Sequence, residues 1–412
     1  MLQEGVDSRF LYHQAERPFN DGATFHQIEF PEREKSAWFE PVSKRVDKNR
    51  RKKIYRDYDR HLAGRDANLE LFSMAELADP TPFDWQRYQA DILQLHWVSF
   101  FIDYPSFFNS LPRKTPIVWT LHDMNPLTGG CHYHGGCQQF HSGCGNCPQL
   151  VDPQPNDLSA TAFRMKQKAL RKQNMTVITP SRWLGGLAQQ SDLWPNKTRF
   201  HVIRYGLDLE QFRAIDKQLA RQELGLDTDA VLIGFGAEDI NNHRKGFQHL
   251  LPALEQLKTD QAAECLVFGS GEIPDNFTAL PPVHAFGYLD STEKQVRFYS
   301  ACDVVVVPSE EDNQPQVGLE AMACGTPVIG FDTGGIAEYV LPGETGLLAT
   351  LGDVEQLSHQ IARLVDESEL RLQMGRNARR MMEEEFEVAA QTGKYLDVYR
   401  ELIDQPVLQA AG

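Results

Sequence analysis

At 412 residues, 41% of them hydrophobic, the chain is too long for a single core and calls for two domains of roughly 200 residues each. Its net charge of -16 is split unevenly: residues 1–205 hold 26 Lys/Arg against 22 Asp/Glu, and residues 206–412 hold 15 against 35. So acidic a second half excludes nucleic acid as the main partner, the lack of any run of about 18 apolar residues excludes a spanning helix, and a start with neither a basic nor an apolar leader predicts a cytoplasmic protein.

The first distinctive feature is the basic run Lys44, Arg45, Lys48, Arg50, Arg51, Lys52, Lys53 and Arg56. It reads first as a solvated helical face, and it leaves open peripheral association with the inner face of a membrane or with an acidic acceptor. Apolar runs alternating with helical patterns follow, the signature of buried parallel strands with crossover helices, so the fold class is α/β. Strands are expected at Asp91–His96, Pro116–Leu121, Thr176–Thr179 and Arg199–Ile203, then at Ala230–Gly236, Glu264–Phe268, Val283–Phe286, Asp303–Val307 and Pro327–Gly330. The Gly turn at Tyr205-Gly206-Leu207-Asp208 marks a boundary. It predicts a domain over 1–205, a second over 206–385, and a C-terminal helix over 386–412 that crosses back to the first.

The strand at Pro116–Leu121 delivers His122 and Asp123 to its carboxyl end, where ligands of parallel sheets bind. His96 ends the preceding strand in the same way. Cys131, Cys137, Cys144 and Cys147 then crowd one loop with His132, His134 and His141. In a reducing compartment four clustered thiols read first as a structural zinc site, with free thiols or an iron–sulfur cluster as the other readings. Cys265, Cys302 and Cys324 read as buried small apolar residues.

In the second half, Arg244-Lys245-Gly246-Phe247 is expected to open a helix, where two cations oppose the helix dipole and point to a nearby anion. The segment from Pro308 to Pro327 follows a strand and opens another helix. Backbone amides at Gln316, Val317 and Gly318 would there suit a diphosphate. Asp312 and Glu320 flank those amides, and carboxylates accept hydrogen bonds well from sugar diols. Taken alone this segment is equally a capped helix after a core strand.

With its surroundings the segment resembles the donor motif of glycosyltransferase family 4, whose members have two Rossmann-like domains facing a central cleft, the architecture called GT-B. The family pattern is two acidic residues eight apart, then Ala-Met-Ala-Cys-Gly-x-Pro-Val and a Gly-Gly loop followed by Glu. It is matched here by Asp312, Glu320, Ala321 to Val328, Gly334, Gly335 and Glu338. The resemblance implies that the first acid contacts the donor sugar and Glu320 the ribose diol. Glu311 sits beside Asp312, so the sugar contact is open between those two. Lys245 matches the family's diphosphate lysine, and Arg244 is expected to replace its arginine, whose own position holds Ala237. A His beside donor and acceptor maps to His122, with Asp123 supporting it.

The string from Trp119 to Tyr133 resembles a subgroup that assembles exopolysaccharides, colanic-acid-type enzymes among them. The implied reaction is retaining transfer of a sugar from a UDP- or GDP-sugar to a hydroxyl of a glycan or lipid-linked acceptor, with no metal or cofactor required for the chemistry. A sugar-nucleotide epimerase of the same fold and a non-catalytic scaffold or metal-binding module are the alternatives. The resemblance also implies that relatives carry a first strand and Gly-rich loop ahead of Gly5, so we expect the true start to lie upstream of Met1.

Overall fold

The computed structural model describes residues 9–12, 24–27, 40–77, 90–226, 229–273 and 281–404, with side chains from residue 48 onward. They fall into two compact units. The first comprises the described residues up to Ile178, Ala188–His201 and those from Lys394 on, and the second comprises Thr179–Leu187 and Val202–Gly393. Each is taken by itself.

The first unit opens with a parallel pair, β1 (Arg9–Tyr12) and β2 (Thr24–Gln27), and helix α1 (Glu40–His61). The basic run lies on α1, and Arg50 leaves its solvated face to bond Glu76 and Asp103. Strands β3 (Leu93–Leu95), β4 (Pro116–Thr120), β5 (Asn174–Thr179) and β6 (Arg199–Val202) form a four-stranded sheet in that order, with α2 (Tyr104–Ser110) and α3 (Leu158–Leu170) between them; α4 (Arg182–Gln190) begins in the second unit, which takes Thr179–Leu187, and ends in the first. All four strands fall where the apolar runs predict them. Ile117, Val118 and Trp119 of β4 are wholly buried, as expected of a strand covered on both faces.

Beyond β4 the chain is held by an unusual cage. The fully buried ammonium of Lys166 on α3 donates to Asn125 O (2.6 Å), Asn125 Oδ1 (3.3 Å) and Thr128 O (3.1 Å) and stands over the Tyr104 ring. Burial pushes Lys166 down to about 8, against the smaller opposing pull of Cys131, Cys144 and Asp123. The neutral carbonyls nonetheless fix the turn at Asn125–Leu127 just after the residues that matter most in this unit.

The second unit contains α5 (Lys217–Glu223), β7 (Val231–Asp239), α6 (Phe247–Glu255), β8 (Ala263–Ser270), β9 (Val283–Ala285), α7 (Thr292–Ala301), β10 (Val304–Val307), α8 (Gln316–Ala323), β11 (Val328–Phe331), β12 (Gly346–Ala349), α9 (Val354–Asp366) and α10 (Ser368–Glu385). Its sheet is wholly parallel in the order β12-β11-β10-β7-β8-β9. Strand β10 shows why its sequence is a plain run of valines. Val304 and Val306 enter the core under α6 and α9, while Val305 and Val307 enter the one under α7, α8 and α10. With both faces buried, period-two alternation between polar and apolar residues has no use.

Helix α9 illustrates local control. Asp353 caps it by accepting from Gln356 N at 2.9 Å, and Leu357, Ile361, Leu364 and Val365 recur on one face at helical spacing and are buried. Strand β12 is the strand of this unit that the apolar runs do not predict; it is four residues long and follows the turn Gly343-Glu344-Thr345. The last helix, α11 (Val388–Asp404), ends in the first unit, where the Tyr395 hydroxyl pairs with Thr120 Oγ1 at 2.8 Å and Tyr399 donates to Gln94 Oε1 at 2.9 Å.

Candidate functional site

In the second unit the motif residues converge at the carboxyl ends of β7, β10 and β11, where a parallel sheet presents its ligand edge. Strand β10 ends at Val307 and the chain turns through Pro308–Pro315 before α8 begins at Gln316. Pro315 occupies the cap position and supplies no side-chain acceptor, so the first-turn amides of Gln316 and Val317 have none from the cap. The amide of Gly318 is different, because it donates to Pro315 O at 3.1 Å. Gly318 serves packing: a Cβ there would meet the Tyr339 hydroxyl at 2.3 Å.

Asp312 is the centre of this cluster. Its Oδ2 accepts from Arg244 Nη1 at 2.9 Å and from Lys245 Nζ at 2.7 Å, and its Oδ1 accepts from Asn313 N at 2.9 Å. Burial alone would raise this carboxyl, but the two cations and their hydrogen bonds hold it at about 2. One carboxylate against two cations leaves the trio net positive. The Asp312 side chain is buried and engaged, and what it does in this structure is orient Arg244 and Lys245.

The two cations do not stand in a helix as expected. His243–Lys245 is a 3-10 turn, and α6 begins only after Gly246. Gly246 has φ +79°, and a Cβ there would meet Pro308 O at 1.8 Å. The turn therefore lies directly on the end of β10, and Glu310 N donates to Arg244 O at 2.8 Å to fasten it. Arg244 also donates to Glu311 O at 2.9 Å, so Glu311 contributes its backbone to the cluster.

The Gly-Gly loop completes the frame. A Cβ at Gly334 would meet Asp312 O at 2.1 Å and one at Gly335 would meet Asn313 O at 1.6 Å, and Gly335 N donates to Asp312 O at 2.9 Å. Glu338 accepts from Arg182 N (3.1 Å) and Trp183 N (2.8 Å), so it caps α4. Glu320 is half-buried at the second turn of α8 and accepts from the Tyr299 hydroxyl at 2.7 Å. Burial raises its carboxyl above the ordinary range, with the Tyr299 bond opposing that shift.

In the first unit the ends of β3 and β4 bring His96 and His122 together, Nδ1 to Nε2 at 3.0 Å with the rings stacked. Desolvation first, and then the neighbouring ring, lower His96, while desolvation lowers His122 against the pull of Asp123. Asp123 is buried. Its Oδ2 accepts from Trp97 Nε1 at 3.0 Å and pairs with His132 Nδ1 at 2.7 Å, and its Oδ1 accepts from Asn125 N at 2.8 Å. His132 Nε2 in turn meets Ser73 Oγ at 2.7 Å. Serine, histidine and aspartate are thus in line, but Ser73 is 1% exposed and no substrate can reach it. The Trp97 and His132 links are ones that sequence reasoning missed, since no motif joins those positions.

Cys131, Cys137, Cys144 and Cys147 line one small cavity with His134, Phe140 and Phe72. All four are free thiols, and Cys144 Sγ accepts from Gly129 N at 3.2 Å. Among the described residues no group of three or more His, Cys, Asp or Glu is arranged to hold a metal ion. Burial instead raises the thiols of Cys144 and Cys147, to about 12 and about 11. Cys265, Cys302 and Cys324 are buried in the second unit.

Residues 216–381 match the family Glycosyl transferases group 1. The second unit carries a group 1 domain. The curated relatives include an N-acetyl-alpha-D-glucosaminyl L-malate synthase of Bacillus anthracis, 28% identical over 51% of this chain and 55% of that protein. They also include a D-inositol 3-phosphate glycosyltransferase of Mycobacterium sp. (strain KMS), 34% identical over 41% of this chain and 40% of that one. The chain spans about half the length of the curated relatives it matches. Among solved structures, a sucrose-phosphate synthase from Thermosynechococcus elongatus superposes with a TM-score of 0.60 at 22% identity, covering 77% of this chain and 75% of that one. The Anabaena protein HepE in complex with UDP-glucose gives 0.55 at 20% identity, covering 70% and 73%. These likenesses establish the fold: two parallel-sheet α/β units of the GT-B type, the group 1 domain being the second.

Proposed function

We propose that this protein is a retaining glycosyltransferase that moves a sugar from a nucleoside-diphosphate sugar to a hydroxyl of a glycan or lipid-linked acceptor, in the assembly of an exopolysaccharide or other cell-surface polysaccharide. The observation that carries this reading is the Asp312 cluster, in which a buried carboxylate holds Arg244 and Lys245 beside the uncapped head of α8. Departure of a nucleoside diphosphate builds negative charge on its phosphates. Fixed cations and helix amides stabilise that charge without having to reorganise. Asp312 acts as a positioning residue, the amides of Gln316 and Val317 and the cations meet the diphosphate, and Glu320 takes the ribose diol. His122 orients the reacting groups in the first unit, with Asp123 fixing the network behind it.

The chemistry needs no metal on this reading, since the cations and amides supply the countercharge. No described helix is long and apolar enough to cross a membrane, so a lipid-linked acceptor would be met from the surface. A thermal-shift series with UDP-, GDP- and ADP-sugars on the wild type and on Glu320→Ala tests the reading. A stabilisation specific to one base, lost in the variant, is expected. Absence of a shift with every nucleotide sugar would sink it.

A further inference from the structure

We propose that Glu310 is a positioning residue for the donor cations: its backbone and its carboxylate together fix the turn from which Arg244 and Lys245 project. This rests on the glycosyltransferase reading and deepens its diphosphate end. Asp312 aims the two side chains, whereas Glu310 acts on the backbone that carries them.

The contacts converge on one residue. Glu310 N donates to Arg244 O at 2.8 Å, in the middle of the His243–Lys245 turn. Its Oε1 accepts from His249 Nε2 at 2.8 Å and from Gln248 Nε2 at 3.0 Å, both in the first turn of α6. Gln248 Nε2 also donates to His243 O at 2.7 Å, so the same amide carries the hold on to the start of the turn. From the other side Thr333 Oγ1 donates to Glu310 O at 3.0 Å, which ties the residue to the segment after β11. A carboxylate only accepts, so the bonding proton of His249 sits on Nε2, and that ring is itself set edge-on against Phe331 of β11 with centroids 5.4 Å apart. The turn, the head of α6 and the end of β11 are thus all tied to this one side chain and its peptide groups.

The electrostatics argue for position over charge. Asp312 already takes both cations, at 2.9 Å and 2.7 Å. A further carboxylate two residues away adds negative charge close to a site for a diphosphate, and by charge alone it would hinder the ligand. Its hydrogen bonds give it a different effect, because cations stabilise developing phosphate charge only where they are held in place beforehand. The two accounts predict opposite signs. If charge is what matters, removing the carboxylate tightens anion binding; if position is what matters, removing it loosens that binding.

The experiment is isothermal titration calorimetry of the full chain with UDP, GDP, ADP and inorganic pyrophosphate, run well below the melting temperature of each variant so that only folded protein is read. In the wild type at least one of these anions should bind, and Lys245→Ala should remove most of that binding. Glu310→Ala should weaken it roughly three- to thirtyfold, the loss expected from one or two misplaced hydrogen bonds, even though a negative charge is gone. Gln248→Ala changes no charge and should weaken it in the same direction. Glu310→Gln keeps an acceptor for His249 and Gln248 and should restore wild-type affinity or better. Unchanged or tighter binding in Glu310→Ala, or binding in Glu310→Gln as weak as in Glu310→Ala, would overturn the proposal and leave the donor site standing. A wild type that takes none of the four anions, or binding untouched by Lys245→Ala, would instead bring down the donor-site reading and the proposal with it.

Discussion

Lys245 Nζ lies 2.7 Å from Asp312 Oδ2, and that one bond joins a turn after β7 to a turn after β10, 67 residues further along the chain. With Arg244 on the same oxygen at 2.9 Å, it makes the carboxylate the fixed point of the candidate donor site. The cations are held in place before any ligand arrives.

Replacing Asp312 with Asn should therefore do two things. The buried cations lose their countercharge, so urea unfolding is expected to show a loss of about 3–5 kcal/mol. The donor-induced thermal shift should also shrink, because Lys245 and Arg244 are no longer aimed. In the wild type, the depressed carboxyl contributes stability in full above its unfolded value near 3.8, and that contribution is lost as pH falls toward about 2. Midpoints measured from pH 7 down to pH 2 should fall in that window in the wild type and much less in the variant.

Tyr299→Phe deletes the one bond that opposes the upward shift of Glu320. The carboxyl should titrate higher still, so donor binding that needs the ionised form fails sooner on acidification. The pH at which the donor-induced shift is halved is expected to move up relative to wild type, with about 1 kcal/mol lost in stability. An unmoved midpoint would mean that ionised Glu320 does not hold the ribose.

Two glycines separate packing from backbone conformation. Gly246 (φ +79°) would drive a Cβ to 1.8 Å from Pro308 O, whereas Gly343 (φ +82°) would meet nothing within 4 Å. Gly343→Ala should lose only the left-handed penalty of about 1–2 kcal/mol. Gly246→Ala should lose clearly more and displace Lys245, which denaturant curves of the two variants would distinguish.

The histidine pair is expected to stay uncharged at neutral pH. Both pKa values are lowered, His96 to about 4, so the folded protein favours the neutral rings; that contribution is present above the unfolded value near 6.5 and lost as pH falls through the folded one. Long-range nitrogen–proton spectra should show a neutral His96 ring at pH 6. A charged ring there would contradict the desolvation that lowers His96.

The cysteine loop gives a fifth test. The raised thiols of half-buried Cys144 and buried Cys147 should react with a disulfide reagent far more slowly in the native state than after denaturation, with or without a chelator. A chelator-dependent release of reactivity together with one equivalent of zinc per chain would restore the tetrahedral site that the spacing suggests.

Much of this protein is legible in its sequence because short-range physics writes it there. The valines of β10, buried on both faces, leave no other reading than an interior parallel strand. The run from Asp312 to Val328, with Gly334 and Gly335, announces a strand end, a helix head and a close backbone approach within thirty residues. What side chains do across long separations is not written locally. That Asp312 holds Arg244 and Lys245, that Glu338 caps a helix 155 residues earlier at Trp183, and that Trp97 leans on Asp123 were all decided by tertiary packing. Burial settled each case: a carboxylate or indole taken out of water must find its partner among whatever the fold brings within hydrogen-bond reach.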